Sequence, residues 1–313
     1  MFNNFYICIR AILPMFLLIA VGMGVRKGKL LLPGEVRKVN QFIYNVFFPP
    51  LMFNNIYSTE LGGSIHKRLL FFAVVMVLAI FSVSIPIVMK LEKDNRRRGV
   101  LVQAAYRGNL IIMGLPVVTN LYGKKEVGVA TVILAVIVPI YNILAVIILE
   151  VFRGSKVDPV RILKGLARNP IILGAAAGII VSALHIKLPF VIEQPVRSMG
   201  EACTPIALVI LGASFRFESV SDSGRQLFAG VFIRLLLTPC IGLTISALTG
   251  FRGYEFVILL IVFAAPAALS SFTMSEAMDA DGELAGNIVI FSSALSVFTL
   301  FFWLFLFRTM GIF

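Results

Sequence analysis

Arg107-Gly108-Asn109-Leu110-Ile111-Ile112-Met113-Gly114-Leu115-Pro116 lies inside an apolar run spanning residues 99–122. A helix crossing a bilayer has no water to satisfy freed backbone groups. An arginine, an asparagine, two glycines and a proline in one such run are therefore costly. They are tolerated where the helix is interrupted and faces a cavity rather than lipid. A second interruption, Phe263-Ala264-Ala265-Pro266-Ala267-Ala268-Leu269-Ser270-Ser271, sits in the penultimate apolar run. Two interrupted spans at matching places in two halves point to a transport site at the bilayer midplane.

The composition agrees with a polytopic membrane protein. Of 313 residues, 59% are hydrophobic and 14% charged, well below the usual quarter charged in a soluble domain. Runs of about 20 apolar residues occur at 6–25, 36–56, 69–89, 99–121, 127–152, 170–186, 190–214, 227–249, 254–278 and 284–307. The expected fold is thus an all-α membrane protein with ten transmembrane helices. The net charge of +12 does not indicate nucleic acid, because the Lys and Arg residues cluster between apolar runs. The odd-numbered loops carry Arg26, Arg37, Arg96 to Arg98, Arg153, Lys164 and Arg168 among others, seventeen basic residues against seven on the other side. That bias makes the odd-numbered loops cytoplasmic and both termini extracytoplasmic, in a cell membrane. Cys8, Cys203 and Cys240 are scattered in apolar context, so neither a disulfide nor a metal set is expected. No cleavable leader is expected, because a basic n-region is missing. No nucleophile motif or phosphate loop suggests an enzyme or ATP drive, and no cofactor is expected.

The runs divide into two sets of five, so the second half enters the membrane inverted. Anchoring the halves on Glu126 and Glu283 sets Asn109 opposite Pro266. Residues 153–169 link the halves, with a turn at Asp158-Pro159 and basic residues that suit an anionic lipid surface. Pro266 reads as the first residue of a half-helix, leaving the N–H groups of Ala267, Ala268 and Leu269 unpaired. Gly108 and Asn109 read as the corresponding break, with Asn109 starting the second half-helix and Pro116 a kink. Two opposed half-helix starts make an anion site. Arg107 beside the break is read as supplying a charge and a fork for a carboxylate, against the alternative of a structural ion pair. Tyr141 and Asn142 either satisfy a broken neighbour or line the cavity. Glu201 and Arg234 are read as structurally paired, with each other or with Arg197 or Arg10, against the alternative that they neutralise during transport. Ile112, Leu269 and Ser270 complete the expected pocket.

The run Asn109 to Pro116, followed by Leu121-Tyr122-Gly123, resembles the auxin efflux carrier family, which includes bacterial dicarboxylate carriers and plant PIN-type auxin exporters. Tyr141-Asn142, Ala265-Pro266 and Glu283-Leu284 fit the same pattern. The resemblance covers nearly the whole chain. It implies two inverted five-helix repeats with crossing broken helices four and nine. It also implies a scaffold (1–62 and 169–218), a transport domain moving like an elevator (63–152 and 219–313), a cytoplasmic linker (153–168) and a homodimer. Family crossover residues map onto Gly108 and Pro266, and the following asparagine onto Asn109. The plant exporters have proline at the place of Gly108 and a long central loop missing here. These departures favour a small carboxylate such as malate or malonate over an indole acid. The expected function is a carrier of small organic anions embedded in the lipid bilayer. Its substrate would touch Arg107, Gly108, Asn109, Ile112, Tyr141, Asn142, Pro266, Ala267, Leu269 and Ser270. The rivals are a sodium-coupled bile-acid-type symporter and a non-transporting membrane sensor.

Overall fold

The computed structural model describes residues 2–57, 66–110, 117–118, 121–122, 124–154, 159–216, 220 and 222–313. Among the described residues the chain is helical, with one isolated two-residue bridge and no strand element. The helices are α1 (Phe2–Lys27), α2 (Pro33–Phe42), α3 (Phe48–Tyr57), α4 (Lys67–Leu91), α5 (Asn95–Tyr106), α6 (Lys124–Phe152), α7 (Pro159–Arg168), α8 (Pro170–Ala183), α9 (Phe190–Ser214), α10 (Gly224–Phe232), α11 (Thr238–Leu248), α12 (Gly253–Ala264), α13 (Leu269–Ala277) and α14 (Gly282–Thr309). A π-helical turn, Ile43–Phe47, joins α2 to α3, and another, Ile233–Leu237, joins α10 to α11.

Among the described residues, five stretches are long and apolar enough to cross a bilayer singly: Lys67–Leu91, Gly128–Phe152, Phe190–Ser214, Gly224–Leu248 and Gly282–Thr309. Other apolar runs are assembled from shorter pieces. Residues 36–56 become α2, a π turn and α3, and residues 254–278 become α12 and α13. Local chemistry sets the starts. Asp94 accepts from Arg96 N at the head of α5, and Asp281 from Leu284 N at the head of α14. Both acids satisfy N–H groups that have no partner within the helix.

The link between halves, read from sequence as a loop, contains α7. Ile162 and Leu166 are half-buried, and that spacing is one helical face. Ile112, Pro116, Gly123 and Asp158 lie outside the described residues, as does the side chain of Arg10.

The helix pairs are close where side chains are absent. A Cβ on Gly22 would meet Val209 O, and one on Gly212 would meet Ile19 O, so α1 and α9 touch backbone to backbone. Gly174 of α8 meets Pro49 of α3 the same way. Small residues at such contacts are how helices associate tightly without a hydrophobic driving force.

Candidate functional site

Helix α5 ends at Tyr106, and Arg107 is extended (φ −96°, ψ 103°). Helix α12 ends at Ala264, and Ala265 (φ −60°, ψ 146°) is held out of the helical region by the ring of Pro266. The two interruptions meet. Gly108 and Ala267 form an antiparallel bridge. Asn109 N donates to Pro266 O at 2.7 Å, and Ala268 N to Arg107 O at 3.3 Å. Each break therefore satisfies the other, which replaces the missing water.

This geometry corrects two expectations. Pro266 is not the first residue of a half-helix; it lies in an extended link, and α13 starts at Leu269. Nor are two of the following three N–H groups free: Ala267 N donates to Ser292 Oγ at 3.1 Å, and Ala268 N is in the bridge. A buried N–H left unpaired costs more than the extra extended residues do. Asn109 directly precedes Leu110, where helix resumes, as the start of the second half-helix expected of it requires. The bridge also shifts the internal match. Its two bonds interchange when Arg107 is swapped with Pro266, Gly108 with Ala267 and Asn109 with Ala268. The spatial counterpart of Asn109 is thus Ala268, two residues beyond Pro266.

The carbonyl ends of the first half-helices are capped from neighbouring elements. Arg234, fully buried in the second π turn, donates Nε to Ala265 O at 2.6 Å. Its Nη2 reaches Val262 O and Phe263 O, both at 3.1 Å. Tyr141 Oη donates to Val262 O at 3.3 Å, and Thr238 Oγ1 to Ala105 O at 2.7 Å. A cation among terminal carbonyls sits at the negative end of the helix dipole. The expected pairing of Arg234 with Glu201 is absent. Glu201 is exposed and faces Arg197 at 3.7 Å on its own helix. A mid-span arginine with few intramembrane acids to meet could have been read as a cap for a broken helix. Gly108 is explained by the same guanidinium, because a Cβ there would lie 2.6 Å from Arg234 Nη2.

Beside the bridge is a cavity of about 140 Å³, walled by Gly108, Asn109, Leu110, Val138, Asn142, Ala268, Leu269 and Ser270 on one side. Phe48, Leu51, Met52 and Asn55 of α3, with Cys203, Thr204 and Ala207 of α9, form the other. Asn109 is 8% exposed, and its Nδ2 is buried without a hydrogen-bond partner among the described residues. Arg107, 1% exposed, stands behind this wall. It donates Nη1 to Gln103 Oε1 at 2.8 Å, and Nη2 to Ser270 Oγ at 2.7 Å and to Asn142 Oδ1. Gln103 continues the network to Ser275 Oγ at 3.3 Å. All three partners of Arg107 are neutral, and no ion pair among the described residues includes Arg107 or Arg234.

Of the residues named from sequence, Gly108, Asn109, Asn142, Leu269 and Ser270 meet at the cavity. Arg107 reaches it through Ser270 and Asn142. Tyr141, Pro266 and Ala267 hold the break together. Ile112 lies outside the described residues. The wall from α3 and α9 was missed, although Asn55 near Pro49-Pro50, and Thr204 beside Pro205, are polar signals inside apolar runs.

The profile of the membrane transport protein family matches residues 7–304. An uncharacterized transporter of Methanothermobacter thermautotrophicus is 24% identical over 297 residues, covering 93% of this chain and 96% of the relative. An uncharacterized transporter of Methanocaldococcus jannaschii is 21% identical over 309 residues, with the same coverage of 93% and 96%.

Proposed function

This chain belongs to the membrane transport protein family, the auxin efflux carrier family that its motifs resemble, and from that premise we propose that it carries small organic anions. The observation that supports this most is a buried arginine with no acid against it among the described residues. A guanidinium in a low-dielectric interior is costly unless its charge is met. The neutral oxygens of Gln103, Asn142 and Ser270 meet it only in part. An anion in the adjoining cavity would complete the balance, with Asn109 Nδ2 donating to it directly. The charge also opposes a sodium ion bound there, which disfavours the symporter reading. A cavity of about 140 Å³ suits a compact carboxylate better than an indole acid.

The helix pairings support an inverted repeat of ten spans. Contact of α1 with α9 is matched by α8 with α3, and α4 with α5 by α11 with α12. Likewise α5 with α6 is matched by α12 with α14. In this reading α1 to α3, α8 and α9 are the scaffold and dimer surface. The bundle carrying the bridge is the moving transport domain, alternating the cavity between the two sides of the cell membrane.

The test is uptake of labelled C3 and C4 dicarboxylates into proteoliposomes. Removing one hydrogen bond to a charged partner costs about 1.5–3 kcal/mol. Asn109→Ala and Ser270→Ala should therefore each lower transport efficiency by about ten-fold or more while the protein stays folded. Wild-type flux in the double variant would remove the site.

A further inference from the structure

Helix α7 presents an unusual surface. Val160 is 75% and Leu163 69% exposed, three residues apart on one face. Lys164 and Arg168 are exposed one helical turn apart on the adjacent face. Neither is in an ion pair among the described residues. The axis turns by 61° between Ile162–Arg168 and Pro170–Ala183. Asn169 holds that bend: its Oδ1 accepts from Ile171 N at 3.0 Å, and its Nδ2 donates to Tyr44 Oη at 2.6 Å. If α8 crosses the bilayer, α7 runs near the membrane plane.

Under α7 is a recess of about 610 Å³, lined by Lys164, Arg168 and Arg153 with Glu150, Gln41 and Tyr44 among others. The one acid among its described lining residues is already engaged, since Glu150 accepts from Arg153 Nη1 at 3.3 Å. The recess therefore offers two uncommitted cations beside two outward apolar side chains.

We propose that α7 and this recess form a binding site for an anionic phospholipid of the cytoplasmic leaflet. The headgroup phosphate lies between Lys164 and Arg168, and the acyl chains run along Val160 and Leu163. An interfacial helix gains from both terms at once, apolar burial at the acyl boundary and attraction of each cation to anionic headgroups. The exposed valine and leucine favour a lipid over a soluble phosphate, which has nothing to cover them. The site is independent of the carrier reading, so its test needs no transport.

Thermal unfolding in nanodiscs decides it. Phosphatidylglycerol mixed into phosphatidylcholine discs should raise the melting temperature of the wild type above that in phosphatidylcholine alone. Lys164→Gln/Arg168→Gln should melt like the wild type in phosphatidylcholine and lose the rise. Leu163→Gln should keep only part of it, and Lys67→Gln, at the start of α4, all of it. If the double variant does not fold, each single substitution should reduce the rise. The proposal is overturned if the Lys164 and Arg168 variants keep the full rise, or if Lys67→Gln loses as much. It is overturned too if inorganic phosphate reproduces the rise in phosphatidylcholine discs.

Discussion

Arg234 and Arg107 are both fully buried near the bridge, and their donors go to different places. Nε and Nη2 of Arg234 go to the Val262, Phe263 and Ala265 carbonyls and close a helix end, while its buried Nη1 has no partner among the described residues. Arg234→Met would leave the Phe263 and Ala265 acceptors unmet, at about 1–3 kcal/mol each in a dry interior, while Val262 O keeps its bond from Tyr141 Oη. The expected result is a clear fall in melting temperature, measurable without substrate. Gly108→Ala should destabilise by about 1–3 kcal/mol, as overpacking does, because the methyl group meets the Arg234 guanidinium. Arg107 spends its donors on side chains that line the cavity or lead away from it. Arg107→Gln should remove flux far more than it removes stability, and a ligand-induced melting shift should vanish with it.

Among elements, the interruptions work because they are paired; either alone would leave backbone groups unmet. The turn between α13 and α14 shows the same economy outside the apolar region. Asp279 (φ 61°) accepts from Arg37 Nη2 at 2.6 Å and Arg153 Nη2 at 2.7 Å, tying α2 and the end of α6 to one carboxylate. These groups are about half exposed, so each pair contributes little to global stability. Asp279→Asn should leave the melting temperature within a degree or two. It should speed amide exchange at residues 276–281 and in α2. A second tie is Glu92, just past the end of α4. Burial alone would raise its carboxyl, but the N–H groups of Asp94 and Lys93 and the Gln226 side chain outweigh that and hold it below its ordinary value. A carboxyl lowered on folding adds stability that is present above its unfolded pKa, near about 4.3, and lost as pH falls through the folded value. The acid limb of a melting-temperature profile should therefore flatten in Glu92→Gln, with no change at neutral pH beyond loss of the contact itself.

At the scale of the molecule, α1 with α9 and α3 with α8 pack backbone to backbone as one closely packed frame. The bridged bundle touches that frame through side chains, such as Asn40 Nδ2 to Thr273 O at 3.1 Å. If the bundle moves during transport, a disulfide across this contact should stop it. Asn40→Cys with Thr273→Cys, in a background free of the native cysteines, should lose flux under oxidant and regain it under reductant. Flux unaffected by a fully formed crosslink would exclude the moving bundle.

The breaks at Gly108-Asn109 and Ala265-Pro266, the largely apolar character of the chain and the placing of Asn109 and Ser270 beside the breaks were legible from residues alone. The reason is local: glycine, proline and polar groups inside an apolar run carry a backbone cost visible without neighbours. Three things were not legible. The bridge pairs Gly108 with Ala267 and moves the start of α13 to Leu269, because the cheapest partner for one broken backbone is the other. Arg234 turns to carbonyls rather than to Glu201, because a π turn aims it inward at a helix end far away in sequence. The cavity wall from α3 and α9 depends on how closely two glycine-lined pairs approach. Each of these is a choice among distant partners, and only the packed chain decides which is in reach.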